Sequence, residues 1–183
     1  MQHAMIIKAD RGKDNSKMIL FCMIFFGWGV LKSAGGNRHL HVAGSLIIAY
    51  CILNFYWPPM HQREVIAAGS GTLTDTLHIG WATMTLLFNM LLMGFGAAAF
   101  GKRFRLYTIA TWIVFIIFGI LTFMESRGIE ANLPTPHIGL WERINIGAFL
   151  LWIIVFAITI LRKATLPGPI KVSVPLEKNS INA

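Results

Sequence analysis

The sequence predicts an all-α protein, a polytopic transmembrane bundle of about five spanning helices. Three observations predict it. Apolar residues make up 55% of the chain and charged residues only 13%, against about 25% charged in a soluble domain. The apolar residues fall in long uninterrupted runs, as a hydrocarbon layer about 30 Å thick requires of a helix that rises 1.5 Å per residue. Period-two alternation, the mark of a membrane β-barrel, is absent, and a helix satisfies its own backbone hydrogen bonds in lipid.

Residues 1–17 form a polar N-terminal segment, with Lys8, Arg11, Lys13 and Lys17 set against Asp10 and Asp14. No cleavage site of small residues follows the first apolar run, so a signal peptide is not expected. That run, Met18 to Leu31, has 14 residues and reaches spanning length only if Lys17 and Lys32 snorkel to the headgroups. A turn built on Gly35 and Gly36 follows. The second span is expected from His39 to Trp57, stopped by Pro58-Pro59, and a Gly-rich loop covers Met60 to Leu73. The third is expected from Thr74 to Phe100, the fourth from Leu106 to Met124 and the fifth from Gly139 to Leu161. The bundle thus covers residues 18–163, and the Pro-containing tail 164–183 reads as disordered and cytoplasmic.

A formal charge of +8 does not signal nucleic acid here. The cations cluster at the ends of apolar runs and in the tails, where Lys and Arg obey the positive-inside rule and meet lipid phosphate. No basic groove with stacking aromatics is present. The turn with Lys102, Arg103 and Arg105, the Lys32/Arg38 turn and Arg162-Lys163 are expected inside the cell, which makes this a multi-pass protein of the cell (inner) membrane. Five crossings then place the basic N-terminal segment outside, against the same rule. Cys22 and Cys51 lie in apolar runs at similar expected depth; free thiols acting as small hydrophobes are expected over a disulfide.

Polar residues gather on one side of three spans. Asp75, His78, Thr85, Asn89 and Gly96 share a narrow sector of the third at 3.6 residues per turn. Glu142, Asn145, Trp152 and Thr159 align on the fifth, and Thr108, Thr111, Gly119, Thr122 and Ser126 on the fourth. Polar groups are disfavoured in lipid, so these stripes should face other helices. Small residues 94–101 allow close approach of a neighbouring helix.

The expected outer end concentrates titratable groups: His61, Glu64, Asp75, His78, Glu125, His137, Glu142 and Arg143. Asp75 and His78, three residues apart on a helix, can share a metal or let a carboxylate orient an imidazole. Two readings follow. In one, His61, Asp75, His78 and Glu142 are candidate metal ligands and, with Arg143, candidate catalytic residues of a membrane hydrolase. In the other, acids such as Asp75 and Glu142 cap helix N-termini and pair with Arg63, Arg127 or Arg143. The absence of H-E-x-x-H weakens the metal reading, and no cofactor is indicated. A helical bundle whose polar outer vestibule binds a lipid headgroup, small ligand or partner is the preferred function.

The segments W-P-P-M-H (57–61), T-L-T-D-T-L-H (72–78), G-F-G-A-A-A-F-G-K-R-F-R-L-Y (94–107), N-L-P-T-P (132–136) and W-E-R-I-N-I-G (141–147) resemble a family of bacterial multi-spanning membrane proteins, the domain of unknown function 998. The similarity covers about residues 18–163. It implies a helical membrane fold, and it implies one further helix upstream, whose lack here accounts for the short first span and the charge conflict. It carries no activity, and it points to His61, Asp75, His78, Glu142 and Arg143 only because they stand in its motif segments.

Overall fold

The computed structural model describes residues 2–61, 66–131 and 133–165. Five long helices follow in order: α1 (Gln2–Ser33), α2 (Arg38–Asn54), α3 (Leu73–Ala98), α4 (Lys102–Glu130) and α5 (Ile138–Thr165), with a single π-helical turn, Ile66–Ser70, before α3. No strand occurs among the described residues, and the all-α expectation holds.

Helix ends follow local chemistry. The polar N-terminal segment is continuous with the first apolar run, because no proline and only Gly12 separates Gln2 from Met18. Gly35 takes φ 53° in the next turn, a conformation open mainly to glycine. Asn37 then caps α2, its Oδ1 accepting from the backbone N–H groups of His39 (3.0 Å) and Leu40 (3.3 Å). Helix α2 stops at Asn54, three residues before the expected Trp57. Continuing it to Pro58 would drive the proline ring into the Asn54 carbonyl. Helix α4 begins at Lys102 and ends at Glu130, outrunning the expected span at both ends. Helix α5 continues through Ala164 and Thr165, so the expected tail starts later; residues 166–183 lie outside the described residues.

Helices α1 and α2 form one antiparallel hairpin, α4 and α5 a second, and α3 packs mainly on α2. The first hairpin crosses glycine on glycine. A Cβ on Gly44 would stand 3.0 Å from the Gly27 carbonyl oxygen, and one on Gly27 would stand 3.2 Å from the Gly44 oxygen. The small stripe of α3 is used in the same way: a Cβ on Gly96 would sit 2.7 Å from the Trp152 ring. Trp152 and Phe156 are fully buried there and stack with ring centroids 4.9 Å apart, enclosed by Phe26, Phe100 and Phe104. Cys51 is buried, whereas Cys22 is exposed, and both thiols are free.

Among the described residues, α3, α4 and α5 are long and apolar enough to cross a membrane. Helix α2, with 17 residues, covers roughly 25 Å and falls short of the hydrocarbon thickness. The surface agrees with a lipid solvent. Leu106, Ile109, Ile113, Ile116, Ile120 and Phe123 form a continuous exposed stripe along α4, while Thr108, Thr111 and Phe115 of the same helix are buried. An apolar stripe of this length on the outside and polar groups within is the reverse of a soluble helix. The chain is a membrane protein with transmembrane helices.

The two ends of the bundle differ in charge. The α1–α2 turn, the α3–α4 turn and the C-terminus of α5 meet at one end, tied by Asn37 Nδ2 donating to the Ala99 carbonyl (3.4 Å) and by Lys163 over the Phe100 ring (5.6 Å). Lys32, Arg38, Lys102, Arg103, Arg105, Arg162 and Lys163 stand at this basic end, with no Asp or Glu among the described residues there. The opposite, mixed end carries Asp75, Glu125 and Glu142 beside Arg127 and Arg143.

Candidate functional site

The mixed end is built from the start of α3 and the chain that leads into it. Thr72 is the N-cap of α3 and Asp75 its N3 residue, the T-x-x-D pattern of a capping box. The Asp75 carboxylate accepts from the Thr72 backbone N–H (2.7 Å) and the Thr72 hydroxyl (3.1 Å). It also accepts from the backbone N–H of His61 (2.8 Å) and from His61 Nδ1 (3.1 Å). One buried acid therefore closes the first turn of α3 and fastens a residue 14 positions upstream. Charge-assisted bonds of this kind are roughly twice as strong as neutral ones.

His61 is the exposed member of the pair. Its side chain keeps 45% of its surface open, against 9% for Asp75. With Nδ1 donating to the carboxylate, Nε2 is the ring nitrogen with no bond among the described residues, and the tautomer that places a lone pair on Nε2 is the one a carboxylate at Nδ1 fixes.

His78 works elsewhere. Its Nδ1 donates to the Pro58 carbonyl (2.8 Å), and its ring meets Trp57 edge-on at 5.3 Å. One turn further along α3, Trp81 Nε1 donates to the Leu53 carbonyl (3.1 Å). Asn54 Nδ2 bonds the Tyr50 carbonyl (2.8 Å), and Thr85 donates to Asn54 Oδ1 (3.4 Å). The last carbonyls of a helix have no partner within it, and two prolines after α2 bring no N–H to supply one. Trp81 of α3 does so for Leu53, and His78 holds the Pro58 carbonyl of the chain that follows.

Glu142 and Arg143, at the start of α5, are exposed. Arg143 donates to the Gly139 carbonyl of its own helix (3.0 Å), and Glu125 accepts from the His137 backbone N–H (3.2 Å) across the loop. The convergence that the metal reading needs is not seen among the described residues: His61 and Asp75 meet, whereas His78 is bound to Pro58. Among the described residues no three His, Cys, Asp or Glu side chains are placed to hold a metal ion. Arg63 and Glu64 lie outside the described residues. Among the described residues Asp75 takes backbone, hydroxyl and imidazole donors rather than an arginine, and it caps α3.

The stripe on α4 serves its own helix. Thr108, Thr111, Thr122 and Ser126 each donate to a carbonyl three or four residues back, and Thr108 also accepts from Trp152 Nε1 (2.9 Å). Deeper in the bundle, Asn89 Oδ1, Trp112 Nε1 and Asn145 Oδ1 are buried without a hydrogen-bond partner among the described residues.

Sequence reasoning found Asp75, His61 and His78 but missed Thr72 as a partner and Trp81 and Asn54 as ties. The T-x-x-D spacing was the available signal for Thr72; nothing local marks the other two, since Trp81 bonds a backbone carbonyl of α2 and Asn54 accepts from a hydroxyl of α3. No family model, curated protein or solved structure matches this chain.

Proposed function

We propose that the chain is a multi-pass protein of the cell membrane that binds a lipid headgroup or another small polar ligand at its mixed end, with His61 as the contact group. The observation that carries this reading is the His61–Asp75 pair: an imidazole fixed through Nδ1 at 3.1 Å, half exposed, with Nε2 open. An immobilised ring loses less rotamer freedom on binding than a free one. The basic end supports an orientation with that end in the cytoplasm and His61 outside. Helices α1 and α2 complete the crossings by letting Lys17, Lys32 and Arg38 reach the headgroups. Membership of the domain of unknown function 998 family is part of the same reading.

A metal-dependent hydrolase would need His78 and Glu142 at the same point as His61 and Asp75; His78 is bound to the Pro58 carbonyl, and no three such ligands gather among the described residues, so binding is favoured over catalysis. The test is nitrogen NMR of histidine-labelled protein in phosphatidylcholine nanodiscs, doped in turn with phosphatidylethanolamine, phosphatidylglycerol and phosphatidylserine. The His61 Nε2 resonance, assigned by its loss in His61→Gln, moves with at least one headgroup. A resonance that stays put with all three contradicts the proposal.

A further inference from the structure

A second site lies at the opposite end. Between the start of α4 and the last turns of α5 is an open cleft of about 500 Å³. Lys102 and Arg103 line it together with Phe100, Tyr107, Val155 and Thr159. Lys163 of α5 approaches the same wall over the Phe100 ring at 5.6 Å. Lys102, Arg103, Arg105 and Lys163 are all exposed.

Two properties of the cleft specify its occupant. Lys102 and Arg103 of α4 line it, Lys163 of α5 stands over its Phe100 wall, and no carboxylate among the described residues stands at that end to neutralise them. The complement is an anion. Its walls are aromatic and aliphatic, and Leu106 and Ile109, beside it on α4, belong to the exposed apolar stripe. A hydrated free anion gains nothing from such walls, whereas an acyl chain lies along them without leaving hydrocarbon. Cations beside apolar walls are the pattern of an amphiphile, and basic pockets between membrane helices are known to accept anionic headgroups.

We propose that this cleft is a binding site for an anionic phospholipid, its phosphate between Lys102, Arg103 and Lys163 and an acyl chain along Tyr107 and Val155. The site is separate from the His61–Asp75 pair at the other end and does not depend on that reading.

The test uses the full-length protein in nanodiscs of phosphatidylcholine alone or with phosphatidylglycerol, followed by native mass spectrometry of retained lipid. Phosphatidylglycerol is retained over phosphatidylcholine. Each cation near an anionic surface contributes a factor of about five, so Lys102→Gln with Arg103→Gln weakens retention about thirty-fold. Arg127→Gln with Arg143→Gln, the same charge change at the mixed end, leaves it unaltered. Adding millimolar glycerol phosphate does not displace the lipid. The proposal is overturned if phosphatidylglycerol is held no better than phosphatidylcholine by the unaltered protein. It is equally overturned if both double variants lose retention alike, or if glycerol phosphate competes, since the site would then read charge or phosphate alone.

Discussion

The two ends of this bundle hold their helices together by different physics. At the basic end, α3, α4 and α5 interlock through rings over small residues: Trp152 and Phe156 fill the space that Gly96 leaves, with Phe104 against both. Polar ties there are few, chiefly Asn37 to the Ala99 carbonyl and Trp152 to Thr108, with Lys163 over the Phe100 ring. At the mixed end the ties are hydrogen bonds from α3 side chains to backbone groups, made by Asp75, His78 and Trp81. The difference follows from what each end has to solve. The α1–α2 and α3–α4 turns are short and capped, so packing suffices at the basic end. The chain from Asn54 to Thr72 is longer and passes two prolines, so its backbone groups need outside partners.

This contrast predicts a ranking. Truncating the ring at the basic end has the largest effect: Trp152→Ala removes a fully buried indole and leaves the Thr108 hydroxyl without its donor. Losses of about 3–5 kcal/mol accompany such truncations. Thermal unfolding in detergent, followed by circular dichroism, will show the largest fall in Tm of the set, and a fall smaller than that of Asp75→Ala breaks the comparison.

Asp75→Ala comes next. It leaves two backbone N–H groups without their acceptor, and an unmet buried donor costs about 1–3 kcal/mol. Because the bonds fasten the chain before α3, limited proteolysis between residues 61 and 72 will accelerate in this variant and not in Trp152→Ala. Equal cleavage in both would show that the loop is anchored by something other than the carboxylate.

The smallest effect, and one of opposite sign, is expected mid-bundle. Asn89 is buried and its Oδ1 has no hydrogen-bond partner among the described residues. Replacing such a group by an apolar residue of similar size is near neutral or stabilising, so Asn89→Leu will keep or raise Tm. A fall as large as that of Asp75→Ala would mean that the amide is bonded in the membrane.

The sequence displayed the helices well and their joints poorly. Proline pairs, glycine turns and the long apolar runs each act within a few residues, so α3 and α5 could be placed within about a turn at each end, whereas α4 runs on past its expected Met124 end to Glu130. The extension of α1 back to Gln2 was hidden because the polar residues 2–17 neither favour lipid nor break a helix. The α2 end at Asn54 was missed by counting to the proline itself rather than to the carbonyl its ring excludes. Contacts between helices were the hardest to foresee. Residues such as Gly27 and Gly44 look alike whether they face lipid or a neighbour, and an apolar helix in hydrocarbon carries no amphipathic stripe to say which. The candidate site shows the same division. Asp75 and Thr72 are linked by local spacing, whereas the partners of His78 and Trp81 are carbonyls, which every residue possesses.

The account rests on hydrocarbon as the solvent of the exposed stripes on α4 and α5. Washing membranes from expressing cells with alkaline carbonate and sedimenting them tests that most directly. The protein is expected to stay wholly in the pellet until detergent is added, and its release into the carbonate supernatant as a monodisperse species would contradict the account.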